Sequence, residues 1–290
     1  MLLSVIMTPR GNWRLVDLEF KNPYFNMAVE EAIPLAVGKG LAPNTLRFWR
    51  NENTVVIGRF QCPALEINFK ECLKMNVSVI RRFTGGGAVY HDYGNLNYAL
   101  SLRRELMEIN DLFEGFKLIG TAVADGLKRK FGINAKYIPI NDIQVEGKKI
   151  SGMAGSVTKD FFFVHGCILV SSNLNVLVSV LNVPKEKLAD KKVQSVRKRV
   201  TTIKEMLKRE VRADEVKEAI KQGLERAFGV RFIKGGLTKE EEELARKLYD
   251  EKYSKMEWSL GPCKFCIRRE RDEFIFRYLT FRGLSDVKAL

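Results

Sequence analysis

The chain has 290 residues, of which 46% are hydrophobic and 29% charged, and it carries a formal net charge of +14 at pH 7. This balance excludes a disordered or low-complexity protein, and no apolar run has the length of a membrane span or the flanks of a signal peptide. Its five scattered cysteines exclude a disulfide framework, so we expect one main catalytic core with a cytoplasmic location.

Positive charge alone leaves the function open. It suits a nucleic-acid binder, an enzyme with acidic partners, or a surface rich in lysine and glutamate. Basic residues are densest between Lys185 and Lys208, where no interleaved aromatic residues indicate base stacking. We therefore expect neither a nucleic acid nor a membrane among the partners.

The first 90 residues predict a helix followed by strands that lead into a glycine loop. Residues 26–37 (NMAVEEAIPLAV) have a helical pattern, with Asn26 as the cap and Pro34 as a bend or an end. The runs TLRFWR, TVVIGR and VSVIRRF are rich in β-branched and aromatic residues, which predicts strands before the glycines at 85–87.

The middle of the chain predicts a strand, a helix and an antiparallel meander. NLNYALSL alternates as a strand does, and residues 112–131 have helical spacing that Gly132 ends. AKYIPINDIQV, GKKISGMAGSV and FFFVHGCILVS are three strand-like runs, which hairpin turns at 146–147 and 159–160 separate.

From residue 182 the pattern is helical. VRADEVKEAIKQGLERAF and LTKEEEELARKLYDEKY are the clearest helices, with Asp214 and Thr238 near their N-termini. The fold class is therefore α+β. We expect a catalytic domain over residues 1–260 and a short tail over 261–290.

That tail contains two motifs. EFIFRYLTF predicts a further strand or the stub of an accessory segment. CKFC, at Cys263 and Cys266, is half of a zinc site, a redox pair or a structural element, and the chain offers no second ligand pair with suitable spacing.

The segment RRFTGGGAVYHD, residues 81–92, carries the most information about function. Three adjacent glycines permit a ligand to approach the backbone, and Arg81 and Arg82 supply donor forks for phosphate or carboxylate. The spacing matches neither a P-loop nor a dinucleotide fingerprint. Taken alone, the segment is either an anion site or a tight structural turn.

Two later segments carry candidate chemistry. In NDIQVEGKKISGMA, strand alternation places Lys148 and Lys149 on opposite faces, so one can point inward toward an anion; two solvated lysines are the alternative. In FFFVHGCILV, His165 and Cys167 share a strand face. They are either a thiol with its base or a core histidine beside a small buried cysteine.

Together, and in this order, the segments resemble the lipoate-protein ligase A family from about Trp13 to Trp258. NMAVEEA resembles the family's opening helix, RFWRNENTVVIGRFQ its paired strands, RRFTGGGAVYHDYGNLNY its signature loop, NDIQVEGKKISGMA its lysine-bearing strand, and FFFVHGCILVSSNL closes the match. The resemblance implies a biotin/lipoate-protein ligase-like fold, with a mixed, largely antiparallel sheet flanked by helices.

The resemblance also implies a two-step reaction. (R)-lipoate and Mg-ATP give lipoyl-AMP, and a lysine of an acceptor protein then takes the lipoyl group. The implied acceptors are the lipoyl domains of 2-oxoacid dehydrogenases and the glycine-cleavage H protein.

Carried over by position, Lys149 is the expected catalytic residue, because a fixed ammonium stabilises negative charge that develops on oxygen. Asp142 is the implied magnesium ligand. The positions implied to bind the lipoyl group or the adenylate are Arg82, Thr84, Gly85, Gly86, Gly87, Ala88, His91, Asn141, Asp142, His165, Gly166 and Cys167.

Two features depart from the family pattern. Cys167 stands where the family often has a small hydrophilic residue. Only about thirty residues follow Trp258, whereas the larger bacterial ligases carry a C-terminal accessory domain that archaeal relatives supply as a separate protein. We therefore expect this chain to activate lipoate poorly without a separate accessory subunit.

The alternative function is a cysteine-dependent octanoyltransferase of the same fold, which transfers an acyl group between carrier proteins without ATP. In relatives of that type the nucleophilic cysteine precedes the lysine strand, and NAKYIPINDIQV contains none. Cys62 and Cys167 are then the thiols near the motifs.

Overall fold

The computed structural model describes residues 11–106, 108–182 and 198–261. Over these residues the chain forms a sheet of eight strands and a smaller sheet of three, with helices packed on them. The strands are β1 Asn12–Asp17, β2 Thr45–Trp49, β3 Thr54–Ile57, β4 Ser78–Arg81, β5 Val89–His91, β6 Asn95–Arg103, β7 Ala135–Ile138, β8 Asp142–Val145, β9 Lys148–Val157, β10 Phe161–Leu169 and β11 Arg231–Lys234.

The helices lie between these strands and after them. They are α1 Pro23–Gly38, α2 Pro63–Glu66, α3 Phe69–Lys74, α4 Leu112–Phe131, α5 Leu174–Val180, α6 Ile203–Leu207, α7 Ala213–Phe228, α8 Lys239–Leu248 and α9 Met256–Leu260. None of these described helices has the length and apolar character needed to cross a membrane.

The strand order of the large sheet is β11-β1-β2-β6-β10-β9-β8-β7, and that of the small sheet is β4-β3-β5. In the large sheet β1 pairs in parallel with β2 and β11, and the other pairs are antiparallel. The predicted α+β class, with a mixed and largely antiparallel sheet, is therefore confirmed.

The two faces of the large sheet have different partners. On one face α4 and α7 bury the main apolar core against β6, β9 and β10. On the other face α1 packs against β6 and β10. Burial of one large apolar side chain contributes about 1.5–3 kcal/mol to the stability of the folded state. The core between α4 and the large sheet therefore stabilises the sheet, and the opposite face of the sheet is held in a fixed position.

Several predicted elements are confirmed. The chain from β7 to β10 is an antiparallel meander. The helix over residues 112–131 ends at Gly132, which adopts φ +69° in the left-handed region. Thr238 caps α8, and its hydroxyl accepts a hydrogen bond from the backbone N–H of Glu241.

The first helix begins earlier than its apolar pattern predicts. Pro23, whose fixed φ suits the first turn, starts α1, and the side chain of Asn22 caps it by accepting hydrogen bonds from the N–H groups of residues 24 and 25. Asn26 is therefore not the cap but lies buried inside the helix. Pro34 also lies within α1 and does not end it.

The strand pattern needs two further corrections. The run AKYIPINDIQV forms two strands, β7 and β8, because Pro139 has no N–H to donate to a ladder and the chain turns there. Strand β11 lies within the segment that was predicted to be helical, and it pairs with β1. The predictions for EFIFRYLTF and CKFC, and the tail that contains them, lie outside the described residues.

Candidate active site

A cavity lies between the large sheet and the small sheet, on the face of the large sheet that α1 covers. Its volume is about 600 Å³, including the part that opens to solvent. The residues that line it are Met27, Glu30, Trp49, Val56, Arg82, Gly87, Ala88, Val89, His91, Asn97, Asn141, Lys149, Gly152, Met153, Ala154, His165, Gly166 and Cys167.

The register of three strands explains one wall of this cavity. His165 lies opposite Ala154 of β9 and Ala99 of β6, and Cys167 lies opposite Gly152 and Asn97. Because side chains alternate along a strand, His165 and Cys167 face the cavity together. Most of their neighbours across the strands are small, which leaves space for a ligand in front of them.

Lys149 lies at the edge of the same wall. Its Nζ is 2.6 Å from Oδ1 of Asp142, and both side chains are partly exposed. A Cβ atom at Gly152 would lie 2.8 Å from Nζ, so only glycine lets the ammonium lie over β9 in this way. Lys148 lies opposite Val145 of β8 and Lys149 opposite Gln144, so the two lysines face opposite sides of the sheet as predicted, and Lys148 is exposed.

The glycine loop forms the opposing wall, and Arg82 holds it in shape. The Arg82 guanidinium donates to the carbonyl oxygens of Gly85 at 2.6 Å, Gly87 at 2.8 Å and Val56 at 3.3 Å. Gly86 adopts φ +87°, and its backbone passes so close to Gly58 that a Cβ at Gly58 would lie 2.1 Å from the Gly86 oxygen. The loop is thus fixed before any ligand binds.

Arg81 has a different task from Arg82. Its guanidinium donates to the carbonyl oxygens of Gly58, Arg59 and Gln61, and to that of Trp258 at 2.8 Å. It is absent from the cavity lining. Both arginines of the motif therefore organise backbone here, and the expected contact of Arg82 with a ligand stays a prediction.

A buried chain of polar groups links the two walls. The Oγ1 of Thr84, in the loop, lies 2.7 Å from Nε2 of His165. The other ring nitrogen of His165, Nδ1, lies 2.6 Å from Oε1 of Glu30 in α1, although the pair is not aligned as a regular hydrogen bond. Arg82 also donates to the Thr84 oxygen, at 3.2 Å. Thr84, His165 and Glu30 thus join the loop, the sheet and the helix.

Two guanidinium groups share the low-dielectric interior with Glu30. Burial lowers the pKa of Arg47 to about 9 and that of Arg82 to about 10, and the charge of Glu30 opposes both shifts. The Glu30 side chain is completely buried. Its carboxylate therefore acts as the counter-charge of the arginines beneath the cavity.

The second histidine, His91, is also buried at the cavity. Its Nδ1 lies 3.2 Å from the side-chain nitrogen of Asn51. Burial and, to a smaller extent, the charge of Arg82 together lower the pKa of His91 to about 3. The imidazole is therefore neutral at ordinary pH.

Cys167 is a poor nucleophile in this setting. Burial raises the pKa of its thiol, and the Lys149 ammonium only partly opposes the shift. Cys62 is 5% exposed and does not line the cavity. The thiolate that acyl transfer to sulfur needs is thus disfavoured at Cys167, the thiol that lines the cavity.

The positions that the resemblance implied lie in or beside this cavity. Thr84, Gly85, Gly86 and Asp142 are not part of its lining, but they contact residues that are. Those that line it are Arg82, Gly87, Ala88, His91, Asn141, Lys149, His165, Gly166 and Cys167.

Sequence reasoning missed several residues of the cavity. Glu30 and Trp49 lie on elements that were recognised only as helix and strand, and Asn97 lies in a strand that was read for its alternation alone. The Trp49 indole nitrogen and the Asn97 amide nitrogen have no hydrogen-bond partner among the described residues. For Glu30 the sequence offered one signal, a carboxylate on the apolar side of the predicted first helix.

Asp142 fits a magnesium nucleotide in part. Among the described residues no group of three or more His, Cys, Asp or Glu side chains is placed to hold a metal ion. Mg²⁺ usually takes only one or two carboxylates, and phosphate oxygens and waters complete its octahedron. One oxygen ligand from Asp142 is compatible with that arrangement.

Comparisons with known proteins place this geometry in context. Residues 22–225 match the family model of the lipoyl protein ligase A/B catalytic domain. Lipoate-protein ligase A subunit 1 of Thermoplasma acidophilum is 36% identical over 258 residues, which cover 86% of this chain and 96% of the relative. A Mycoplasma pneumoniae relative is longer: at 38% identity the match covers 64% of this chain and 53% of that one. Octanoyltransferase LipM of Brevibacillus brevis is 30% identical, over 86% of this chain and 98% of the relative.

Solved structures give the same picture. A bipartite lipoate protein ligase from T. acidophilum, studied with its E2 lipoyl domain, superposes with a TM-score of 0.80 at 34% identity and covers 89% of this chain and all of that one. A lipoate-protein ligase A bound with ATP has a TM-score of 0.77 at 33% identity, over 86% of this chain and 99% of that one. A T. acidophilum protein with bound lipoic acid has a TM-score of 0.75 at 32% identity, over 86% of this chain and all of that one.

Proposed function

Since the chain belongs to the lipoate-protein ligase A family and is a lipoate-protein ligase, we propose that it joins (R)-lipoate to a lysine of an acceptor protein in two steps. First, a carboxylate oxygen of lipoate attacks the α-phosphorus of ATP, which gives lipoyl-AMP and releases pyrophosphate. The acceptor amine then attacks the acyl carbon and displaces AMP. The observation that carries the proposal is the Lys149 ammonium at the edge of a largely preformed cavity.

Lys149 stabilises the charge that develops in both steps. Negative charge grows on oxygen in each attack, and a fixed cation in a site with little water is worth several kcal/mol there. Asp142 is its partner at 2.6 Å. A carboxylate or phosphate oxygen of the substrate would compete for the ammonium, and Asp142 would then be available to hold Mg²⁺, which would supply charge neutralisation at the nucleotide phosphates.

The apolar part of the cavity suits the acyl chain. Met27, Trp49, Val56 and Val89 supply apolar surface from four different elements. The exposed backbone of the glycine loop offers close contact without a side chain in the way.

The acceptor is proposed to be a lipoyl domain or the glycine-cleavage H protein, and a separate accessory subunit is proposed to assist adenylation. Support comes from the bipartite T. acidophilum ligase, which was studied with its E2 lipoyl domain. The net charge of +14 favours acidic acceptors through electrostatic steering. If steering operates, the rate of acceptor association falls as salt rises; a rate that is indifferent to salt contradicts it.

The first experiment follows the intact mass of a lipoyl-domain acceptor during incubation with the chain, lipoate and Mg-ATP. Lys149→Ala is expected to slow modification by about 100-fold or more, as loss of an oxyanion-stabilising donor does. Lys148→Ala is the matched control, because the neighbouring lysine points to solvent, and it is expected to retain wild-type rate.

The donor separates the outcomes of this experiment. Modification from lipoate that needs ATP establishes the ligase. Modification from synthetic lipoyl-AMP alone indicates a competent transfer domain that lacks its accessory subunit. A chain that is silent with both donors contradicts the proposal.

An octanoyltransferase is the second candidate, because LipM of B. brevis is 30% identical over most of both chains. That reaction needs a cysteine nucleophile, and Cys167 is the thiol in the cavity. Octanoyl transfer from a carrier protein that Cys167→Ala abolishes would favour the transferase. Under the ligase proposal Cys167→Ala retains lipoylation, since no enzyme thioester is formed.

A further inference from the structure

The two-step chemistry leaves His91 without a task, although the residue is buried at the cavity. Its ring is 5% exposed and lines the cavity wall. One ring nitrogen, Nδ1, contacts Asn51, whereas Nε2 has no hydrogen-bond partner among the described residues. What His91 can do depends on which nitrogen carries the proton, and the hydrogen bonds behind it decide that.

The chain of hydrogen bonds starts at Asn26, whose amide has only one possible orientation. Its oxygen accepts from the Arg47 guanidinium at 3.0 Å and from the Phe20 N–H at 3.0 Å, and both of these groups can only donate. Its nitrogen donates to the Phe20 carbonyl at 2.7 Å, which can only accept. The Asn26 nitrogen is therefore the donor to its next partner.

That partner is Asn51, and the orientation of its amide determines which kind of group faces His91. The Asn26 nitrogen donates to the Asn51 oxygen at 2.9 Å, so the Asn51 nitrogen must face the histidine. An amide nitrogen can only donate, and it lies 3.2 Å from Nδ1. Nδ1 therefore accepts and carries no proton, and the single proton of the neutral ring is on Nε2.

Electrostatics keep the ring in this state. A proton on Nδ1 would place one N–H against another, and burial and Arg82 both oppose a charged ring. The other titratable groups around the cavity are Glu30 from α1, Lys149 from β9, and His165 and Cys167 from β10. The nearest carboxylate among them, Glu30, is already in contact with His165.

We propose that Asn51 is a positioning residue that holds His91 as an Nε2–H donor, and that this N–H donates to an oxygen of the bound acyl group or its adenylate. The proposal rests on the ligase function above. It makes His91 a ligand-binding donor whose strength does not change with pH. It also excludes His91 as the base that takes the proton from the acceptor amine.

Nitrogen NMR tests the tautomer directly on the full chain. The sequence has only two histidines, so the spectrum of imidazole-labelled protein contains two ring systems, and a His91→Gln variant assigns them. The expected result is an unprotonated Nδ1 and a protonated Nε2 for His91, unchanged from pH 8 to pH 5. A proton on Nδ1, or a ring that becomes charged in this range, overturns the proposal.

Asn51→Asp tests the role of the donor. Aspartate still accepts from Asn26, but toward Nδ1 it offers only an acceptor, so Nδ1 carries a proton, and at a pH where the NMR spectrum shows a neutral ring Nε2 presents a lone pair to the ligand. Binding of a non-reactive acyl-sulfamate analogue of lipoyl-AMP, measured by calorimetry, is expected to weaken by about 10- to 100-fold. Asn44→Asp is the matched control: Asn44 is also buried and accepts from the Arg103 N–H, but it lies outside the cavity.

The outcomes distinguish this inference from the ligase proposal. If Asn51→Asp switches the tautomer and binds the analogue as tightly as wild type, the donor role fails although the ligase stands. If the wild-type chain neither binds the analogue nor transfers from lipoyl-AMP, the ligase proposal fails, whatever the NMR shows. If Asn51→Asp does not fold, the wild-type spectrum still decides the tautomer, and His91→Phe, whose ring is of similar size but has no donor, takes its place in the binding measurement, with the same expected loss.

Discussion

The two walls of the cavity each contribute one buried histidine, and the two rings are held in opposite ways. His165, on the large sheet, directs Nδ1 at the Glu30 carboxylate and Nε2 at the Thr84 hydroxyl. His91, on the small sheet, directs Nδ1 at the amide nitrogen of Asn51. An amide nitrogen only donates, so the proton of His91 lies on Nε2, whereas the groups around His165 fix no tautomer: the Thr84 hydroxyl both donates and accepts, and the Glu30 contact is not an aligned hydrogen bond.

The difference shows that the hydrogen-bond partners of its ring nitrogens determine the role of a buried histidine. His165 has a polar neighbour at each ring nitrogen, Thr84 of the glycine loop and Glu30 of α1, and so lies between these two elements. His91 is tied on one side only, so one nitrogen is left for a ligand. The same residue type at similar burial is thus structural on one wall and available on the other.

The largest expected effect comes from the charge behind His165. Glu30→Gln removes the negative charge that most opposes the desolvation of the buried Arg47 and Arg82, which is expected to lower the free energy of unfolding by about 3–5 kcal/mol. Urea unfolding at pH 7 measures it. Glu31→Gln is the control: its partner Lys252 is partly exposed, and a smaller loss is expected. Equal losses for both variants would mean that Glu30 is no special counter-charge.

The glycine loop that Thr84 ties to His165 is expected to be the next most sensitive feature. Gly86→Ala forces a side chain into φ +87° and places its Cβ 2.8 Å from the Arg82 guanidinium. A loss of up to about 3 kcal/mol is expected in thermal or urea unfolding. Gly87→Ala is the matched control, because no atom lies within 4 Å of its added Cβ; if it destabilises the chain as much, local strain at Gly86 is not the cause.

His91 is expected to make stability depend on pH. Its pKa is lowered to about 3 in the folded chain, against about 6.5 when unfolded, so the unfolded state binds more protons between these values. The stabilisation is complete above pH 6.5 and is lost as pH falls. From pH 7 to pH 5 the wild type is expected to lose about 2 kcal/mol more than His91→Gln. Parallel curves for the two proteins would show that His91 is not held neutral.

The smallest expected effect concerns the hydroxyl between the two walls. Thr84→Val keeps the shape but removes the oxygen that contacts His165 and Arg82, at a cost of about 1 kcal/mol in unfolding free energy. Thr84→Ser keeps the hydroxyl and is expected to remain within about 0.5 kcal/mol of wild type. If the serine variant is as unstable as the valine variant, the methyl group matters and the hydroxyl does not.

Much of the fold was predictable because its signals are local. The alternation of β6, the helix that Gly132 ends and the meander around Lys149 each depend on a few neighbouring residues. Strands β1 and β11 were not, because each is short and depends on partners distant in sequence: β1 pairs with β2 across about thirty residues, and the two strands pair with each other across more than 200. The cap of α1 was misplaced since Asn26 resembles a cap in sequence, whereas its amide is needed inside the protein.

The sequence by itself determined the α+β class, the family and the motif positions that surround the cavity, because glycine spacing and strand alternation are written in contiguous residues. Only the tertiary structure decided that Arg81 and Arg82 hold backbone, that Glu30 lies beneath the cavity, and that the two buried histidines have different partners. Those properties depend on which donors and acceptors come into contact between segments distant in sequence, and a local sequence pattern does not predict such contacts.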